Sequence, residues 1–127
     1  MAIRICIVED DEGIRDVLKI VLEKAGYELN IFSDGEPILA KNYVLPDLYL
    51  LDKQLKTFDG LNLCEFLKVD PQSRNIPVIL MSAYPGVREL ALSAGADDFV
   101  EKPFLIQTLL KAIRAQVHEH PAAQPIK

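Results

Sequence analysis

The chain has no tryptophan, two cysteines, two methionines and two histidines in 127 residues. So few sulfur and imidazole ligands leave little for a thiolate or imidazole metal site. His118 and His120 sit close to the C-terminus with no cysteine beside them, which argues against zinc. Cys6 falls in an apolar strand and Cys64 in a predicted helix, so both read as reduced structural thiols. Long apolar runs are also missing. None approaches the roughly 18–20 residues that span a bilayer, and four consecutive acids at Glu9–Glu12 break any signal-peptide pattern. Positive charge is short as well. Fourteen basic residues against nineteen acidic ones leave a net charge of −5. Phosphate contacts need a basic face, so direct nucleic-acid binding is not expected. A cytoplasmic chain with no membrane partner is the expectation.

The rest is an ordinary globular balance, with 50% hydrophobic and 26% charged residues. The length suits one domain. Apolar strands alternate with helical stripes along it. Arg4–Val8 reads as a buried strand rich in β-branched residues. Ile14, Val17, Leu18, Val21, Leu22 and Ala25 come next as one helical stripe, with Gly26 where a C-cap belongs. Tyr27–Phe32 alternates, as an outer strand does. Pro37 suits the first turn of a short second helix. Asp47–Leu51 is a fully apolar third strand that ends at Asp52, and Lys53–Asp59 is a loop. Gly60–Val69 is the third helix. Val78–Met81 is the fourth strand, ending at Ser82. Val87, Leu90, Ala91 and Ala94 stripe a fourth helix stopped by Gly95. Asp98–Glu101 is the fifth strand, and Ile106, Leu109, Leu110, Ile113 and Val117 stripe the last helix. Five alternating βα units with apolar strands predict an α/β fold with a parallel sheet covered on both faces. The domain is expected over 1–120, with 121–127 a tail or the start of a linker.

Ligands of open parallel sheets bind beyond the carboxyl ends of the strands. The residues just past each strand are therefore the informative ones. Glu9 and Asp10 come after the first strand, Asp52 after the third, Ser82 after the fourth and Lys102 after the fifth. Three carboxylates brought into one cleft repel one another unless a cation joins them. Oxygen ligands without Cys or His favour a hard cation, Mg²⁺ foremost. An ammonium and a hydroxyl beside them complete a cradle for a phosphoryl group. Phosphoryl transfer is chiefly positioning and charge neutralisation, and an Asp carboxylate is a competent nucleophile for it. Each residue alone also has a plain structural role. Acids favour helix N-termini, Asp forms turns, Ser caps and Lys is solvated. Their coincidence at the correct strand ends is the feature that points to chemistry.

The motifs Val8-Glu-Asp-Asp-Glu12, Pro46-Asp-Leu-Tyr-Leu-Leu-Asp52, Phe58-Asp-Gly-Leu61, Val78-Ile-Leu-Met-Ser-Ala83 and Ala94-Gly-Ala-Asp-Asp-Phe-Val-Glu-Lys-Pro-Phe104 stand in order. Together they resemble a response-regulator receiver domain of two-component phosphorelay systems, over about Arg4–Val117. The resemblance implies a flavodoxin-like (βα)5 doubly wound sheet with strand order 2-1-3-4-5. It implies that Asp52 is the phosphoacceptor. Glu9 and Asp10 would position Mg²⁺, with Asp10 a direct ligand, Glu9 acting mainly through water and the backbone carbonyl of Gln54 a further ligand. Ser82 and Lys102 would bond phosphoryl oxygens. Phe99 holds the aromatic switch position, and Pro103 comes after a bond the family commonly holds cis. Lys56 stands where the loop often carries a Pro, and Phe99 lacks the hydroxyl of the commoner Tyr.

The resulting expectation is a signalling module and not an enzyme. Its phosphoryl donor would be a sensor histidine kinase or a histidine phosphotransfer protein. Its output would be an effector or a homodimer through the fourth helix, fifth strand and fifth helix. An aspartyl-phosphate phosphohydrolase is the rival, but Gln54 offers no proton where such enzymes carry a second Asp. A degenerate receiver used only for docking or dimerisation is the other alternative. Gln54 and Tyr84, two residues beyond Asp52 and Ser82, are expected to flank the route of water to the phosphoryl group.

Overall fold

The computed structural model describes residues 2–56 and 58–119. His120 and the expected tail at 121–127 lie outside the described residues. The elements alternate throughout: β1 (Arg4–Val8), α1 (Glu12–Lys24), β2 (Glu28–Phe32), α2 (Glu36–Leu39), β3 (Leu48–Asp52), α3 (Gly60–Val69), β4 (Val78–Ser82), α4 (Val87–Ser93), β5 (Asp98–Glu101) and α5 (Ile106–Glu119). The sheet runs β2-β1-β3-β4-β5, and every pairing is parallel. This is the doubly wound arrangement expected from the alternation and from the resemblance.

Strand side chains alternate between two cores because successive Cβ atoms point to opposite faces. Cys6, Val8, Tyr49, Leu51, Val78 and Leu80 pack on one face against Ile38 of α2, Leu63 and Leu67 of α3 and Ala91 of α4. Ile5, Ile7, Leu48, Leu50, Ile79 and Met81 pack on the other against Leu18 and Leu22 of α1 and Leu109 and Ile113 of α5. Burying one such aliphatic side chain stabilises by about 1.5–3 kcal/mol. Both cysteines are free and buried. Burial pushes the Cys6 thiol up to about 12 and the Cys64 thiol to about 11, which keeps both protonated and inert.

The expected helical stripes are wider than the contacts. On α1 only Leu18 and Leu22 are fully buried, while Val17 and Ala25 face solvent. On α4, Val87 and Ala91 are buried and Leu90 is exposed. A short helix lying on a sheet touches it along one row, so residues at the margin of the stripe remain wet.

α1 begins where Asp11, in extended conformation, accepts a hydrogen bond from the Ile14 amide. That cap fixes the chain directly after Glu9 and Asp10. α3 begins in the same way at Asp59, which accepts from the Leu61 amide at 2.7 Å. Gly60 is there because nothing larger fits. A Cβ on it would stand 2.2 Å from the Asp52 carbonyl oxygen and 2.8 Å from the Lys53 Cα. The start of α3 is thus pressed against the backbone that carries Asp52.

Candidate functional site

The sheet delivers its polar residues to one edge. Asp52 is the last residue of β3 and Ser82 the last of β4, while Glu9 comes directly after β1 and Lys102 directly after β5. Backbone bonds tie the ends together. The Lys53 amide donates to the Met81 carbonyl, and the Lys102 amide donates to the Ser82 carbonyl, each at 2.9 Å. Glu9 and Ser82 are fully buried, and Asp52 is 3% exposed. Buried polar groups of this kind are costly unless each finds a partner, and here each does.

One carboxylate oxygen from each of Glu9, Asp10 and Asp52 lies within 4.8 Å of the other two. Lys102 enters the cluster as its counter-charge. Its Nζ donates to Glu9 Oε1 at 2.7 Å and to Asp52 Oδ1 at 3.1 Å. Glu9 Oε2 accepts from the Asp11 amide. Burial raises the Glu9 carboxyl above its ordinary range; Lys102 and the Asp11 amide pull it back, and Asp52 adds repulsion. Burial alone would lower the Lys102 ammonium, but Glu9 and Asp52 outweigh it and hold the charge more firmly. Three clustered carboxylates with one ammonium leave excess negative charge, and oxygen is the only donor type on offer. That donor set fits a hard divalent cation.

Ser82 is arranged differently. Its hydroxyl donates to Gln54 Oε1 at 3.2 Å, and its Oγ accepts from the Tyr84 amide at 3.1 Å. Gln54 itself is fixed by an antiparallel bridge to Asp59. Tyr84 itself is 59% exposed. Phe99 lies buried in β5, opposite Leu80 in register and not opposite Ser82. The Arg88 guanidinium stands 5.3 Å from the centroid of its ring. Lys102–Pro103 is cis.

All the candidate residues except Phe99 are therefore brought to one strand-end cluster, with Phe99 back along β5, three residues before Lys102. Sequence reading missed four contacts: Gln54 on Ser82, Arg88 over Phe99, Lys53 with Asp59 at 2.8 Å, and Arg15 donating to the Glu9 carbonyl at 2.9 Å. The last was within reach, since Arg15 lies on the first turn of α1, directly after the acids.

Beside Lys102 opens an apolar hollow of about 620 Å³, lined by Ile14, Val17, Ala83, Pro103 and Phe104 among others. No described helix is long and apolar enough to cross a membrane.

Comparison with known proteins bears on the fold and the family. The chain is 36% identical over 115 residues to the DNA-binding dual master transcriptional regulator RpaA of Synechocystis, covering 88% of this chain and 48% of that protein. It spans about half the length of the curated relatives it matches. Among solved structures, the signal receiver domain of a signal transduction histidine kinase from Syntrophus aciditrophicus superposes with a TM-score of 0.87 at 32% identity, covering 99% of this chain and 98% of that one. The receiver domain of sensor histidine kinase PA1611 from Pseudomonas aeruginosa, with a magnesium ion in its active-site cleft, gives 0.82 at 26% identity, covering 91% and 98%. The family profile described as response regulator receiver domain matches residues 5–114. This chain belongs to that family, the receiver domains of two-component signal transduction.

Proposed function

We propose that Asp52 takes a phosphoryl group from a phosphohistidine of a sensor kinase or phosphotransfer protein. The observation that carries this is the contact of Lys102 Nζ with both Glu9 and Asp52, which sets a fixed positive charge at the mouth of a buried carboxylate. Oδ1 of Asp52 holds the Lys102 bond, and Oδ2 has no hydrogen-bond partner among the described residues. Oδ2 is the oxygen that attacks phosphorus. The donor's N–P bond breaks, and its imidazole leaves with the electron pair and takes up a proton. Lys102 lies close enough to bond an oxygen of the arriving phosphoryl group. Ser82, on the neighbouring strand, supplies a hydroxyl to another. Asp10, Asp52 and the Gln54 carbonyl would hold Mg²⁺, with Glu9 behind them; the ion supplies neutralisation of charge on the transferring group. The apolar hollow beside Lys102 offers the donor a dry surface to dock on. The output face is α4, β5 and α5, where Leu90 and Leu92 are exposed for an effector or a second copy.

With Mg²⁺ and acetyl phosphate, intact-mass spectrometry should show one base-labile phosphoryl group on the wild type and none on Asp52→Asn. Equal labelling of the two proteins would refute the assignment, and absence of labelling in both would favour a docking domain.

A further inference from the structure

We propose that Arg15 is a positioning residue that aims the Asp10 carboxylate at the cation site. The inference rests on the reading of Asp10 as a Mg²⁺ ligand. The two acids that follow β1 are held in different ways. Glu9 is fixed along its whole length. Its amide donates to the Phe32 carbonyl at 3.0 Å, its Oε1 accepts from Lys102, and its Oε2 accepts from the Asp11 amide. Asp10 is half-buried and brings an oxygen to the carboxylate cluster, but that carboxylate makes no hydrogen bond among the described residues. Its direction is left to the backbone that carries it.

That backbone is bracketed by one residue. The Arg15 guanidinium folds back from the first turn of α1, and its Nη1 donates to the Glu9 carbonyl at 2.9 Å. The Arg15 amide donates to the Asp11 carbonyl, also at 2.9 Å. The carbonyls of both neighbours of Asp10 thus end on Arg15. The amide bond is an ordinary helical one that any side chain keeps; the guanidinium bond is particular to Arg15. A peptide unit is planar, so the Glu9 carbonyl and the Asp10 amide turn together. Holding that oxygen fixes the plane that enters Asp10, and the Asp11 amide on Glu9 Oε2 fixes the plane that leaves it. Between two fixed planes the Cα–Cβ bond of Asp10 has one direction. The charge of Arg15 alone acts with the opposite sign, because a nearby cation repels Mg²⁺. Arg15 acts through Asp10 and touches no reacting atom.

The test is a Mg²⁺ titration of the full chain, followed by backbone amide shifts. Arg15→Met removes the donor and the charge. It should bind Mg²⁺ about threefold to tenfold more weakly than wild type, the factor that one net hydrogen bond commands. Arg15→Lys keeps a donor and the charge and should recover most of the loss. In an Asp10→Asn background the Arg15→Met change should add little, because the carboxylate it aims is gone. A merely structural role for Arg15 would weaken binding equally in both backgrounds. Unchanged or tighter binding by Arg15→Met overturns the proposal, as does an equal loss in both backgrounds. If Asp10→Asn alone binds Mg²⁺ as wild type does, the reading of Asp10 as a ligand fails, and this inference with it. A second measurement needs no metal. The Asp10 N–H lies in the plane that the guanidinium holds, so its residual dipolar coupling in the metal-free protein should change in Arg15→Met and return in Arg15→Lys. A coupling unchanged by Arg15→Met also overturns the proposal.

Discussion

α3 and α4 pack into the same core on the same side of the sheet, yet they are held very differently. α3 runs for ten residues, begins at a side-chain cap from Asp59 and buries Gly60, Leu63, Cys64 and Leu67. Its first residue presses on the Asp52 backbone. Ser73 Oγ secures its far end by donating to the Leu67 carbonyl at 2.8 Å. α4 runs for seven residues, begins at Gly86 with no side-chain cap, and buries Val87 and Ala91. Arg88 ties it to β5 by standing over Phe99 and donating to the Phe99 carbonyl at 3.4 Å. Less buried apolar surface and an uncapped start mean a smaller free energy of local opening. Asp52, the proposed phosphoacceptor, is thus mounted beside the firmer helix, and the helix next along the chain from Ser82 is the more weakly held of the two.

The comparison breaks most sharply at its glycines. In Gly60→Ala the new methyl group meets backbone, not a flexible side chain. The variant should lose roughly 1–3 kcal/mol of stability, as overpacked sites do, and should label slowly with acetyl phosphate because Asp52 shifts. Gly86 has φ 79° and open space around it. Gly86→Ala should cost about 1 kcal/mol through backbone strain alone, with labelling retained. Urea titration and mass spectrometry of both variants decide the matter. Equal loss of labelling in the two would show that the α3 side has no special hold on Asp52.

A smaller effect is expected at the cap. Asp59→Ala removes the bond from the Leu61 amide and the partner of Lys53. It should destabilise by about 1 kcal/mol, the usual worth of an N-cap. The urea midpoint measures it, and a change below a few tenths would mean that the start of α3 is held by packing alone.

The smallest effect lies at the far end of α3. Asp70 pairs with Lys41, and that bond, with a further one from the Gln72 amide, holds its carboxyl below the ordinary range. A carboxyl depressed in the folded state contributes stability above its unfolded pKa, and that contribution is lost as pH falls through the folded value. Wild type should therefore lose slightly more stability than Asp70→Asn as pH falls from about 5 to about 3. Parallel curves for the two proteins would show that the pair contributes nothing.

The parts of this architecture that were legible in the sequence are those with a period or an end. Gly60–Val69 and Asp98–Glu101 fall where the apolar pattern and its punctuation placed them, and β3 starts at Leu48, one residue later than the pattern suggested. Glu9, Asp10, Asp52, Ser82 and Lys102 were found because strand ends converge in a parallel sheet, whatever the side chains between them. Side-chain pairings across the loops were not legible. Nothing in the spacing of Gln54 and Ser82, 28 residues apart, says that their side chains meet. The same holds for the double pairing of Lys102, which depends on how far β5 carries its end towards β1 and β3. The exposure of Val17 and Leu90 was hidden because periodicity gives the direction of a helical face and not its width.

Coupling requires an element with two arrangements that the phosphoryl group biases. We propose that this element is α4 with Phe99, reached through Ser82. Backbone amide shifts on adding beryllofluoride and Mg²⁺ test this most directly, read residue by residue in wild type and in Ser82→Ala. The account predicts larger shifts along Val87–Glu101 than along Gly60–Val69 in wild type. In Ser82→Ala it predicts loss of most of the response at 87–101, with the mimic still bound at Asp52. Shifts in α3 as large as those in α4, or a full α4 response in Ser82→Ala, would contradict it.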